Sequence, residues 1–267
     1  MLVERCSENT GPIGSRDFTG GAEGREGTRR KSSQGGNGWL KLASMSTSSP
    51  TNSSNDYDAY PPITLVELAN RFGDIPPTRI CMNPPPGQAT EEDMLFFREH
   101  EGRLFELVDG TLIEKTMGNF ESHVAGIIFA RLFNYLVANP IGVPIYGDTQ
   151  LKLRRGEIRL PDVGFLSKER ARQSGYPRSQ KVAAVAPNLA VEVISEGNSQ
   201  KEMDDKLQEY FRAGTEEVWY VYPETRDLHQ FTSPAAPTIH QGDSLITTPL
   251  LPGFELKLVE IFQVPGE

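Results

Sequence analysis

Glu192 stands inside an apolar run, LAVEVI, with Val191 and Val193 beside it. A carboxylate in a strand covered on both faces costs on the order of several kcal/mol unless it is paired, hydrogen-bonded or ligated to a metal. Two readings follow, a structural ion pair or a functional acid, and burial alone divides them about evenly. Asp162 is the second such acid. It follows Pro161 inside IRLPDVGFLS, and proline is rare in a central strand, so the pair marks either a bend that re-aims a side chain or an ordinary Pro-Asp turn. Taken together, two carboxylates from neighbouring strands form a place for one hard cation such as Mg²⁺ or Mn²⁺. The cation would offset the like-charge repulsion between them.

A basic group should accompany such a pair. Lys206 lies fourteen residues after Glu192, in QKEMDDKLQEYFRAG. With Met203, Leu207, Tyr210 and Phe211 as the buried stripe of a helix, Lys206 falls about 80° from the stripe centre. There its stem can be buried and its ammonium aimed along the packed face, although a solvated lysine fits the same position. Lys201 points away. Lys152 and Arg159 are the substitutes should Lys206 face solvent. His123 opens a helix on the same face as Ile127 and is a candidate for contacting phosphate or water, with capping or packing as the plainer role. Glu106 (FELVD) and Gln150 (GDTQLKL) lie in strands that border the same region or the surface.

The elements that must position these residues are legible in part. Thr64-x-x-Glu67 and Thr90-x-x-Asp93 are capping boxes, predicting a helix over 65–72 ended by Gly73 and a second over TEEDMLFFRE. Between them a Pro-rich arm must be extended or turning. FELVD and LIEKT flank Asp109-Gly110, a hairpin signal. Residues 122–138 carry apolar side chains at helical spacing and stop at Pro140. VPIYGDTQLKL and IRLPDVGFLS read as two strands separated by a turn at Arg155-Gly156. Residues 167–187 read as a mixed loop. LAVEVI, the helix after it and EVWYVY form a strand–helix–strand unit expected to pair in parallel. The last forty residues read as edge strands and turns. The order predicts an α/β fold: a central mixed β-sheet flanked by helices.

Residues 1–58 are dense in Gly, Ser, Thr and Asn and lack apolar periodicity. Such a composition does not offset its ordering entropy, so this tail is expected to be disordered. Met45 offers an alternative start within it. The organisation expected is a tail over 1–58, a helix and Pro-rich arm over 59–89, and one domain over 90–267. The chain of 267 residues carries a formal charge of -9. The tail holds seven acidic and seven basic residues, so the folded part holds the deficit. An acidic domain is a poor non-specific binder of nucleic acid, and any such substrate would need a local basic strip or a bound cation. Two cysteines, Cys6 and Cys81, make neither a disulfide framework nor a zinc spacing. No apolar run approaches the roughly 18 residues that span a membrane. A cytoplasmic setting is expected.

RLPDVGFLSKER followed by LAVEVISEGNSQKEMDDKLQEYFRAGTEEVWYVYPETRDLHQF resembles the Uma-type restriction-endonuclease family of the PD-(D/E)XK nuclease superfamily. The likeness runs from about Thr90 to about Phe254 and is strongest from Asp162 to Pro223. It implies a restriction-endonuclease-like core, often dimeric, that hydrolyses phosphodiester bonds of DNA with Mg²⁺ or Mn²⁺. Asp162 and Glu192 would be the metal-ligating acids. The simplest superfamily pattern has a lysine two residues after the second acid, where this chain has Ile194. The family's usual replacement is a lysine on the next helix, here Lys206. His123 matches the family's histidine at the start of its early helix, and Glu106 an acid of its first hairpin. A nuclease fold that has lost catalysis and only binds nucleic acid or a protein partner is the alternative, and a purely structural domain would require the two acids to lie far apart.

Overall fold

The computed structural model describes residues 63–178, 181–264 and 266. They all fall within one compact unit, Tyr57–Glu267. The expected disordered tail over 1–58 and the alternative start at Met45 lie outside the described residues.

Both capping boxes form. Thr64 and Glu67 exchange hydrogen bonds at the start of α1 (Leu65–Phe72), and Thr90 and Asp93 do the same for α2 (Glu91–Glu101). Each satisfies helix-start N–H groups that have no partner within the helix. The hairpin of β1 (Phe105–Val108) and β2 (Thr111–Glu114) turns on Asp109 and Gly110, both with positive φ, 45° and 73°. That two-residue geometry matches the twist of the flanking strands. Next comes α3 (Asn119–Ala138). It starts three residues before the expected Ser122, because Gly118 serves as its N-cap without any side-chain signal.

Each of the two long strands expected next is in fact two. The first breaks at Gly147 into β3 (Gly142–Tyr146) and β4 (Gln150–Arg154). The second breaks at Pro161 into β5 (Glu157–Arg159) and β6 (Val163–Ser167). Pro161 offers no N–H to continue a ladder, and the strand bends there. The region expected as a loop holds a short helix, α4 (Lys168–Ser174), and a two-residue strand, β7 (Val182–Ala183). Then follow β8 (Leu189–Val193), α5 (Gln200–Arg212), β9 (Glu217–Tyr222), β10 (Asp227–Phe231) and β11 (Thr238–His240). The chain finishes with β12 (Leu245–Ile246), β13 (Leu256–Lys257) and a helical turn, α6 (Leu258–Ile261), where only strands and turns were expected.

The mixed α/β architecture forms as expected, its strands arranged in two mixed sheets and a small ribbon. One sheet has the order β2-β1-β5-β4-β7, the other β11-β10-β9-β8-β6-β3, and β12 pairs β13. The chain therefore passes between the two larger sheets repeatedly, and two of these crossings, at 147–149 and at 160–162, are the short breaks within the strands expected to be continuous. The strand β8 pairs β9 in parallel, as expected, and β6 antiparallel. Side chains alternate across β8. Leu189, Val191 and Val193 enter the core shared with α3, while Ala190 enters the core shared with α5. By the same alternation Glu192 faces α5. The Pro-rich arm packs Ile75 and Ile80 with Leu68 and Phe72 of α1 against Val108 and Ile113 of the hairpin.

Candidate active site

The crossing at 160–162 lies beside β8 and delivers Asp162 to the edge of its α5 face. Asp162 is 3% exposed. Its Oδ2 accepts a hydrogen bond from the Val193 N–H at 2.7 Å, which locks the side chain to the end of β8. Its Oδ1 is buried and accepts no directed hydrogen bond, yet lies 2.6 Å from the Lys115 ammonium. Glu192, also 3% exposed, accepts a 2.7 Å hydrogen bond at Oε1 from the Tyr210 hydroxyl of α5. Its Oε2 lies 3.5 Å from Lys206 Nζ and 3.8 Å from Lys115 Nζ. Lys115 also donates to the Leu160 carbonyl. Asp162, Glu192 and the Leu160 carbonyl thus turn oxygen atoms toward one ammonium.

Lys206 is buried on α5 with its ammonium 3.2 Å from Glu106 Oε2. Glu106 is itself held by Arg159 Nη1 at 2.8 Å and by the Leu160 N–H at 3.1 Å. Arg159 spans from Glu106 to Glu209 of α5, donating from Nε at 2.7 Å to the latter. Beyond Lys206, Arg79 of the Pro-rich arm makes a two-pronged pair with Glu202 at 2.8 and 2.9 Å and donates to the Glu114 and Gly197 carbonyls. The acids and bases enclose a cavity of about 20 Å³, room for a single water-sized occupant, between β1, the end of β2, β8 and α5.

The charges shape one another. Burial raises the pKa of Glu192, with the Asp162 and Glu106 carboxylates adding to it against the two lysines. Burial opposes the charged form of Lys206, but Glu106 and Glu192 outweigh it and hold the ammonium well above the usual lysine range. For Lys115 burial is likewise outweighed by Asp162 and Glu192. Glu106 is kept ionised: Lys206, Arg159 and Lys115 together overcome its burial. Burial lifts the Tyr210 hydroxyl far above its normal range, helped by the Glu192 charge, so it stays protonated and can donate to Glu192.

Five of the residues singled out in the sequence meet here: Asp162, Glu192, Lys206, Glu106 and Arg159. The structure does not bring His123 to them. Its Nε2 pairs with the Gln263 carbonyl at 2.9 Å and its ring stacks on Phe120, so it ties the start of α3 to the C-terminal segment. Gln150 is buried elsewhere, beside Tyr176 and Ala183, with neither amide atom hydrogen-bonded. Lys152 pairs with Glu91 at the periphery. Lys115 went unnoticed in the sequence, where it merely follows a short strand. Tyr210 was read as part of an apolar stripe. Its type held a signal, since a buried tyrosine hydroxyl needs a partner.

The fold is thus mixed α/β, with buried acids and lysines converging at a break between strands. The model of the Uma2 family, described as "Putative restriction endonuclease", matches residues 91–259, and the chain belongs to that family. A crystal structure described as "a putative nuclease belonging to DUF820" from Anabaena variabilis ATCC 29413 shares the fold with a TM-score of 0.56 at 17% identity, covering 65% of this chain and 97% of its own. No curated protein matches the chain. Among the described residues no helix is long and apolar enough to cross a membrane.

Proposed function

We propose that the protein is a metal-dependent nuclease that hydrolyses phosphodiester bonds of DNA, with Asp162 and Glu192 as the ligands of one Mg²⁺ or Mn²⁺ ion. One observation carries the reading: oxygens of both carboxylates lie within 2.6 and 3.8 Å of a single cationic nitrogen, so they address a common point. The donor set fits a hard cation. It is all oxygen, one of its atoms (Asp162 Oδ1) lacks a hydrogen bond, and the adjoining cavity admits a water-sized group. A divalent ion held there would polarise a phosphoryl oxygen and lower the pKa of a water.

The chain's own residues would do the rest. The Val193 N–H and the Tyr210 hydroxyl each fix one carboxylate and leave the opposite oxygen free to ligate. Lys206, kept charged by Glu106, stands beside Glu192 to orient the attacking water and to stabilise charge developing on the phosphate. Arg159 and Glu209 brace Glu106 from behind. With a chain charge of -9, the anionic substrate would be drawn by these local cations and not by the protein as a whole. A homodimer would have the exposed apolar side chains Phe133 and Val137 of α3 as its seat, and sedimentation velocity tests it.

Purified protein is to be incubated with supercoiled plasmid and Mg²⁺ or Mn²⁺ beside Asp162→Ala and Glu192→Ala. Metal-dependent cutting that both variants lose is the expected result. The alternative reading, a binding protein that has lost catalysis, is favoured by the way Lys115 already pairs with both acids. It predicts an intact fold that binds DNA and cuts under no condition.

A further inference from the structure

Lys115 belongs to two spaces at once. With Asp162 it lines the 20 Å³ cavity on the inside, and with Asp162 it also lines a groove of about 260 Å³ on the outside. That groove runs along Leu104, Met117, Ser122, Tyr146 and Asp148, the last of which is paired with Arg98 at 2.7 Å, and Lys115 is the one cation among the described residues that line it. Its side chain is 12% exposed, against 3% for Asp162 and 4% for Glu192, so it plugs the boundary between acid pair and solvent. Its stem leaves the chain just past the end of β2, before the helix α3. The Lys115 N–H still donates to the Leu104 carbonyl at 2.8 Å, so the backbone is anchored and any movement is confined to the side chain.

Charge counting adds a second constraint. Glu106, Asp162, Glu192 and Glu209 face Lys115, Arg159 and Lys206, a formal total of 3 − 4 = −1. Adding a dication while Lys115 stays gives +1 in a buried site and places two cations on the same oxygen atoms. Withdrawal of Lys115 restores neutrality. Arg159 and Lys206 lack that freedom, since both are enclosed at 2% and 5% side-chain exposure.

Resting on the nuclease reading above, we propose that Lys115 is a tethered stand-in for the metal: its ammonium fills the place between Asp162 and Glu192 in the metal-free protein, and on ion binding it turns outward into the groove, where it contacts the phosphate of the incoming strand. The groove is thereby the substrate's approach, and its single cation is presented only when the ion is in place. Lysine suits the exchange because its flexible stem carries a compact charge through a short swing. No bond is made or broken in the exchange.

The test is calorimetric titration of Mn²⁺ into the full chain, with Lys115→Met and Lys115→Gln alongside. Removing the competing ammonium is expected to tighten Mn²⁺ binding at least about tenfold in both, and also to weaken binding of a short DNA duplex to the Mn²⁺-loaded protein. In the wild-type chain, acylation of Lys115 by a water-soluble anhydride, followed by peptide mass spectrometry, should speed up several-fold when Mn²⁺ is added. This measurement decides the matter if both variants fail to fold. Unchanged or weaker Mn²⁺ affinity in folded variants, or labelling indifferent to Mn²⁺, overturns the stand-in role. If the wild-type chain itself binds no Mn²⁺ and cuts nothing, the nuclease reading falls and takes this inference with it. If it binds and cuts while the variants bind Mn²⁺ no more tightly, only the inference falls.

Discussion

Glu192 and Glu217 lie on adjacent parallel strands, both buried in apolar runs, and their surroundings are opposite. Glu217 on β9 is 1% exposed and is saturated by neutral donors: Trp219 Nε1 at 2.5 Å, Gln230 Nε2 at 2.7 Å and Thr248 Oγ1 at 2.7 Å. No lysine or arginine among the described residues pairs with it. Glu192 on β8 has one neutral donor, Tyr210, and otherwise two lysines, a second carboxylate nearby and a cavity at its side. Glu217 therefore ties β9 to β10 and to the segment at Thr248, a structural carboxylate. Glu192 keeps an oxygen whose partners are the charged ammonium groups of Lys206 and Lys115. A buried carboxylate becomes a candidate for chemistry when its hydrogen bonding is left open to cations, not merely when it is buried.

The sharpest way to break this contrast is to remove the charge at each position. Asp162→Ala and Glu192→Gln should lower plasmid cleavage by about 10³-fold, the several kcal/mol that a lost cation site represents. Glu217→Gln should leave cleavage within about twofold at a temperature where it is folded. Equal losses at both positions, with folds intact, would erase the distinction.

Stability should move the other way. Glu217→Ala strands three donors and is expected to cost about 3 kcal/mol in urea unfolding. Glu192→Gln should cost none near neutral pH. Its folded pKa is raised, so the stability it contributes is present below the unfolded value near 4.5 and is lost as pH rises through the folded value. Removing an ionised group that the fold disfavours is then neutral or stabilising, and a clear drop in melting temperature at pH 7 would contradict the assignment.

Lys206→Met should reduce the rate by about 10²-fold with Mn²⁺ still bound, as titration can show. A loss of Mn²⁺ binding equal to that of Asp162→Ala would make it a structural counter-ion instead.

The smallest effect lies at Glu202, the fully paired end of the same chain of charges. Burial would raise its pKa, but the Arg79 hydrogen bonds and the Lys206 and Arg79 charges lower it below 4.5. Its stabilisation is therefore present above pH 4.5 and lost as pH falls toward the folded value. Glu202→Gln should flatten the acid limb of the stability curve, read by thermal unfolding from pH 3 to 6. An unaltered limb would show that the pair is not felt.

Local signals were reliable where the physics is local. The capping boxes at Thr64 and Thr90, the Asp109-Gly110 turn and the apolar runs around Glu192 and Trp219 each specify a short stretch of backbone through neighbours three or four residues away, and all formed. Asp162 and Glu192 were legible for a related reason: an acid set among β-branched residues is a conflict visible in the string itself. What the sequence could not specify was destination. Pro161 announced a bend and the break at Gly147 was not read, and the exchange of β4 and β5 into one sheet and β3 and β6 into the other depends on pairing across long separations.

The same limit hid Lys115 and displaced His123. Lys115 follows a strand with nothing in its spacing to mark it, and only the packing of the hairpin against the 160–162 crossing brings its ammonium to the acids. His123 carried the expected residue type at the expected helix start, yet the C-terminal segment takes its ring. Sequence determined which groups were chemically out of place in their own strands. Tertiary structure decided which of them share a few ångströms of space, because that distance is set by how two sheets and a helix pack and not by any neighbour along the chain.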